Sequence, residues 1–212
     1  MLKLGTKLLK PESGSVFLKC KDIKTIAEKE FAKKVAFLPQ MTVAPQMTVE
    51  ELVLCGRYPY HSLFEPTNVE DREIAENAMS LVGCTHLKDK RVDRLSGGEN
   101  RRVYLAMALA QTTDIIILDE PTTCLDVNVS FEIMELIKKL KLEHRKTIIM
   151  VLHDINLALE YSDEIVAMSK GKIVCKKTPN EIVKSCVIED IFSVKTHILK
   201  GEHKNYYCFD KV

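Results

Sequence analysis

The sequence predicts an α/β fold with helices layered around a mostly parallel sheet. Three observations carry this. The runs IIIL (115–118) and TIIMVL (147–152) are continuously apolar, as central strands buried on both faces are. Segments with apolar residues at helical spacing alternate with such runs. Polar residues of chemical interest stand directly after the strands, at the edge where open α/β sheets take ligands.

From the N-terminal side, Leu4, Leu8 and Leu9 share helical spacing, Pro11–Gly14 reads as a turn, and Ser15–Cys20 and Val35–Leu38 read as strands, the second ending at Pro39-Gln40. From Thr48 to about Val82 two helices dominate. Each is opened by an expected capping box, Thr48-x-x-Glu51 and Thr67-x-x-Glu70, in which hydroxyl and carboxylate satisfy free N–H groups reciprocally. A helix follows from about Gly98 to Ala110, then a strand at Ile115–Leu118, a helix near Ser130–Leu142 and a strand at Thr147–Leu152. Glu164–Met168 and Lys172–Cys175 flank Lys170-Gly171 as a hairpin, and short helices with two weak strands complete the chain without evident chemistry.

With 212 residues, 46% of them hydrophobic, the chain supports one substantial core. Its 31 Lys and Arg nearly balance 30 Asp and Glu, so net charge gives no reason to expect nucleic acid, and any phosphate recognition must be local. The seven cysteines form no C-x-x-C pair and read as reduced, mostly buried small hydrophobes in a cytosolic chain. Lysines at 3, 7 and 10 interrupt any N-terminal apolar run, and nothing approaches the ~20 apolar residues of a membrane span.

Three segments carry candidate chemistry. In LSGGENRRVYLAMALA (95–110), Val103, Ala106, Met107 and Ala110 mark one buried helix face, and Ser96-x-x-Glu99 is a capping box. A capped core helix leaves Gly97-Gly98 unexplained, since each glycine costs up to ~1 kcal/mol against alanine. Bare backbone N–H groups at a helix start suit an anion, most naturally a phosphate. In IIILDEPTTCLD (115–126), Asp119 and Glu120 repel unless one faces Mg²⁺ and the other a water to be activated; the plain alternative is a solvated loop pair. In TIIMVLHD, His153 is either a satisfied polar group or a contact to a γ-phosphate or attacking water, and Gln40 could reach the same metal or water.

In this order the segments resemble the ATP-binding-cassette (ABC) ATPases over essentially the whole chain. Leu95–Glu99 is similar to the signature motif, Ile115–Glu120 to the Walker B strand, Cys124-Leu125-Asp126 to the D-loop, His153 to the switch histidine and Gln40 to the Q-loop glutamine. The resemblance implies a RecA-like P-loop NTPase core with an inserted α-helical subdomain: 1–41 partial core, 42–96 helical subdomain, 97–180 core, 181–212 C-terminal extension. It implies ATP and Mg²⁺ as cofactors, Glu120 as general base, His153 on the γ-phosphate, and Asp119 with Gln40 at the metal. Gln40, Ser96, Gly97, Gly98, Glu99 and Asp126 are implied to bind nucleotide, the signature residues taking ATP held by a second ABC subunit in a head-to-tail dimer. GRYPYHSLF (56–64), LDEPTTCLD and VLHDINLALEYSD look most like subunits that drive iron-siderophore, haem or cobalamin import. That implies permease subunits as partners, a periplasmic or extracellular substrate-binding protein indirectly, no nucleic acid, and a cytoplasmic place on the inner membrane face. The other reading is a non-hydrolytic partner that lends its signature motif to an intact ATPase. Tyr58, Tyr60 and Phe64 are expected either to form part of a groove for a permease helix or to pack in the core.

The chain departs from the family pattern in three places. Glu99-Asn100 stands where glutamine and a basic residue are usual, and APQMTVEEL looks slightly short. No G-x-x-x-x-G-K-[ST] phosphate loop occurs in the 212 residues. LLKPESG resembles the end of the helix that follows this loop, so the expectation is a core truncated at its N-terminus, with Met1 an internal methionine of that helix.

Overall fold

The computed structural model describes residues 2–40, 44–62, 65–201 and 205–211. They divide into two compact units, Met1–Val151 and Leu152–Val212.

In the first unit, α1 (Leu2–Gly5) stops a turn earlier than the leucine spacing suggests, because Lys7 takes a left-handed φ of 62°. Leu8 and Leu9 are consequently exposed. The single strand expected at Ser15–Cys20 is instead a hairpin of β1 (Phe17–Leu18) and β2 (Lys21–Asp22). Lys19 and Cys20 both adopt positive φ there, as a two-residue hairpin turn requires. α2 (Glu28–Ala32) brings Phe31 into a cluster with Leu2, Ile23, Val35 and Ile117. β3 (Val35–Leu38) ends where expected.

α3 (Val49–Leu54) has its Thr48/Glu51 box: Glu51 N–H donates to Thr48 Oγ1 (3.2 Å) and Glu51 Oε2 accepts from Thr48 N–H (2.8 Å). α4 (Val69–Leu81) corrects the sequence reading, since its cap is Asn68 with Asp71, one residue beyond Thr67 and Glu70. Local chemistry allows both registers. Asp71 is 2% exposed and also receives Arg57 Nε at 3.0 Å, so a tertiary ion pair decides between them.

α5 (Gly97–Ala110), β4 (Ile115–Asp119), α6 (Val127–His144) and β5 (Thr147–Val151) complete the unit. The parallel sheet has the order β3-β4-β5, with Leu38 opposite Leu118 and Asp119 opposite Val151. β4 is central, and Ile116, Ile117 and Leu118 are buried. β5 differs from its expected burial on both faces: Thr147 is exposed and Ile149 is 43% exposed. Among the described residues β5 has a strand on one side only, which leaves part of its apolar run without cover. α6 begins three residues before the expected Ser130 and buries Ile133, Met134, Ile137 and Leu140 along one stripe.

The second unit comprises α7 (Ile155–Tyr161), β6 (Ile165–Ser169), β7 (Lys172–Lys177), α8 (Pro179–Lys184), α9 (Val187–Phe192), β8 (Val194–Lys200) and β9 (Asn205–Lys211). The expected hairpin pairs β6 with β7, turning on Lys170 and Gly171, both at positive φ. Leu159, Ile182 and Ile188 form its core, joined by Val194, Tyr207 and Phe209 from the β8–β9 hairpin.

The cysteines are free but not mostly buried. Cys84 alone is fully buried, and burial pushes its thiol up to about 11. Cys20, Cys124 and Cys186 are exposed in left-handed turn or cap positions, and Cys208 is exposed on β9. Turn geometry and strand alternation, rather than thiol hydrophobicity, set these positions.

Candidate functional site

Parallel strands β3 and β4 end side by side, so Pro39-Gln40 and Asp119–Pro121 leave the sheet at the same edge. Gln40 Nε2 donates to Glu120 Oε2, joining residues 80 apart in sequence. Thr123 Oγ1 donates to the same oxygen at 2.8 Å. Asp119 and Glu120 are half-buried, whereas Gln40 is exposed. The sequence-predicted Gln40, Asp119 and Glu120 are thus together. His153 belongs to the second unit, two residues beyond Val151 in the chain, and is exposed.

Glu120 sits at φ 49°, a left-handed conformation that costs a non-glycine residue about 1–2 kcal/mol. Its N–H donates to Val151 O at 3.2 Å, so β5 helps hold it there. The turn that follows also carries Cys124 at φ 62° and leads to Asp126, exposed at the start of α6, whose carbonyl accepts from Ser130 N–H at 2.8 Å.

Sequence reasoning missed Arg101. Its side chain enters the edge from α5, 8% exposed. Nε donates to Pro121 O (2.9 Å), Nη1 to Pro39 O (3.1 Å), and Nη2 to Asp119 O (3.1 Å) and Glu120 O (2.7 Å). Burial lowers the guanidinium pKa, and the Asp119 and Glu120 carboxylates oppose that shift. One sequence signal was present: Arg101 shares a helical stripe with buried Leu105 and Ala108, a position where a cation needs acceptors. Its acceptors are distant carbonyls, which no local pattern announces.

The start of α5 follows its predicted capping box. Glu99 N–H donates to Ser96 Oγ at 3.3 Å, and Glu99 Oε2 accepts from Ser96 N–H at 2.7 Å. Those bonds, with Lys90 Nζ at 3.1 Å, occupy the Glu99 carboxylate, and the Ser96 hydrogen bonds chiefly lower its pKa. Gly98 has a packing reason as well as the anion-binding one, since a Cβ there would meet Val129 Cγ1 at 2.8 Å. At Gly97, which is exposed, the nearest atom would be Leu125 Cδ2 at an ordinary 3.4 Å. The bare backbone reading therefore rests mainly on Gly97.

In GRYPYHSLF, Tyr58 is 65% exposed while Tyr60 packs its ring 4.0 Å from the Arg57 guanidinium and hydrogen-bonds Thr112 Oγ1 at 2.8 Å. Arg57 is buried and donates to Ala110 O (2.8 Å) as well as to Asp71. Phe64 lies outside the described residues.

Residues 1–123 match the ABC transporter family. The chain belongs to that family. The ferric enterobactin transport ATP-binding protein FepC of Escherichia coli (strain K12) is 41% identical over 200 residues, 94% of this chain and 74% of its own length. The petrobactin import ATP-binding protein FpuD of Bacillus anthracis is 40% identical over 199 residues, 93% of this chain and 73% of its own length. The dimeric structure of MJ0796, a bacterial ABC transporter cassette, matches with TM-score 0.72 and 29% identity over 84% of this chain and 78% of that one. The α/β architecture is accordingly that of the ABC ATPases, with the RecA-like fold that the motifs imply. Among the described residues no helix of this ABC chain is long and apolar enough to cross a membrane.

Proposed function

We propose that the chain supplies catalytic parts of an ATP-hydrolysing subunit that drives import of an iron-siderophore or related metal chelate. The observation that carries this reading is the Gln40–Glu120 hydrogen bond beside Asp119 at the ends of β3 and β4. Petrobactin import, ferric enterobactin transport and siderophore transport are the roles named for relatives that match nearly the whole chain.

The donors fit Mg²⁺. Asp119 offers a carboxylate, and Gln40, donating through Nε2, keeps its amide oxygen for a hard cation. Mg²⁺ takes one or two carboxylates and completes its shell with phosphate oxygens and water. When bound, Mg-ATP supplies the phosphoanhydride and the charge that neutralises it. In the proposed mechanism Glu120 accepts the attacking water's proton, with Gln40 and Thr123 fixing the direction of its carboxylate. His153, by the motif it resembles, would take a γ-phosphate oxygen. Ser96, Gly97 and Gly98 would present the α5 N-terminus to ATP held by a second subunit, and Asp126 would join that nucleotide site. Glu99 acts there by closing the cap. Partners in this reading are a second ABC subunit, permease subunits on the inner membrane face with exposed Tyr58 in the contact, and indirectly a substrate-binding protein. The expected division into 1–41, 42–96, 97–180 and 181–212 is part of the same reading.

The test is a chain extended upstream by a G-x-x-x-x-G-K-[ST] loop and its strand. We expect Mg-ATP hydrolysis, lost in Glu120→Gln with ATP binding retained. Binding without turnover in the parent protein would instead support the non-hydrolytic partner.

A further inference from the structure

We infer that Arg101 is a positioning residue for the Gln40–Glu120 pair, its guanidinium tying together the two chain segments from which those side chains project. The ladder between β3 and β4 ends at Leu38 and Leu118, so beyond it the strands no longer fix each other. Arg101 supplies donors where the ladder stops, one to Pro39 O on the first segment and three to Asp119, Glu120 and Pro121 carbonyls on the second. Every acceptor belongs to a site residue or to the immediate neighbour of one.

The effect on Glu120 is specific. Its N–H is held by Val151 O and its carbonyl by Arg101 Nη2, so both of its backbone polar groups are pinned while φ stays at 49°. A left-handed non-glycine residue persists where its surroundings over-determine it, and here the Glu120 carbonyl takes two donors, Arg101 Nη2 at 2.7 Å and Thr123 N–H at 3.4 Å, the arginine's being the shorter. The planar fork of five N–H donors reaches carbonyls on the two segments that leave β3 and β4 at once, which a lysine ammonium on its flexible stem does not. The buried positive charge also faces Asp119 and Glu120, offsetting the repulsion between adjacent carboxylates.

The catalytic meaning of this role rests on the hydrolytic reading of Glu120. The test itself needs no nucleotide, so the two can fail separately. In ¹⁵N-labelled full chain, the Arg101 guanidinium nitrogens should give resolved, slowly exchanging signals unlike those of solvent-exposed Arg72. In Arg101→Lys, exchange of the Glu120 backbone amide should rise about tenfold or more. The Gln40 side-chain amide signals should move to those of an exposed glutamine, while exchange at Ile117, in the middle of β4, stays within about threefold of the parent. Arg101→Met should do the same more strongly. Should the Met variant not fold, the parent's guanidinium signals and the Lys variant decide. Glu120 and Ile117 exchange rising together would show a role confined to stability and overturn the inference. So would unchanged Gln40 and Glu120 signals in a folded variant, or Arg101 signals averaged like those of Arg72.

Discussion

Arg57 and Asp71 show how much one buried pair can decide. Their side chains are 7% and 3% exposed, 3.0 Å apart, and Asp71 at once closes the α4 cap and lies 2.7 Å from His61 Nε2. Burial alone would raise the Asp71 carboxyl. The Asn68 N–H, the Arg57 guanidinium and the nearby His61 overcome it and hold the group below the usual carboxylate range. Arg57→Ala leaves a buried carboxylate without its cation and should cost about 3–5 kcal/mol in urea unfolding. The pH dependence follows from the direction of the shift. With a folded pKa below the unfolded one, Asp71 stabilises above the unfolded carboxylate value, about 3.9, and loses that contribution as pH falls through the folded value. The urea midpoint should therefore drop more steeply from about pH 5 downward, through and below the unfolded carboxylate value, in the parent protein than in Asp71→Asn. Parallel slopes would mean that the pair does not tune Asp71.

At the level of elements, strand ends and helix caps were legible in sequence because their signals are local. Val35–Leu38 and Ile115–Leu118 are apolar runs bounded by polar residues, and Thr48 and Ser96 carry their acids three positions on. This is why Gln40, Asp119 and Glu120 could be placed from sequence. The α4 cap, the hairpin at Phe17–Asp22 and Arg101 were not legible. An ion pair 14 residues apart, two consecutive left-handed residues and a guanidinium reaching distant carbonyls settle them, and none of these is written in a neighbouring residue. Gly98 stands between the two cases, suggesting an anion in sequence and a helix contact in structure. Gly98→Ala should cost about 1–3 kcal/mol through overpacking against the stiff Val129 side chain. Val129→Ala should relieve most of it in a double-mutant cycle. A Gly98→Ala penalty independent of residue 129 would show that the α5–α6 contact is not the reason for the glycine.

Across the whole molecule, the sheet edge brings Gln40, Asp119 and Glu120 together with Arg101 behind them, yet the 212 residues contain no glycine-rich loop with its lysine. In phosphoryl transfer, catalysis is almost entirely positioning and charge stabilisation, and that loop cradles the β- and γ-phosphates for both purposes. In the proposed reading Asp119 would hold the Mg²⁺ that offsets triphosphate charge, but its carboxylate offers no donor to a phosphate oxygen, and Glu120 would act on water only with a γ-phosphate held in line with it. The Gln40–Glu120 bond fixes the direction of the carboxylate and would leave the triphosphate unanchored. Titrating Mg-ATP onto the 212-residue chain should accordingly give neither saturable binding nor phosphate release above a buffer control. A chain that also carries such a loop and its strand should show both, since the positions of Gln40, Asp119 and Glu120 are set by β3, β4 and α5. Saturable hydrolysis by the 212 residues alone, abolished by Glu120→Gln, would show that other donors anchor the phosphates and would move the search for them to the α5 N-terminus at Ser96 and Gly97.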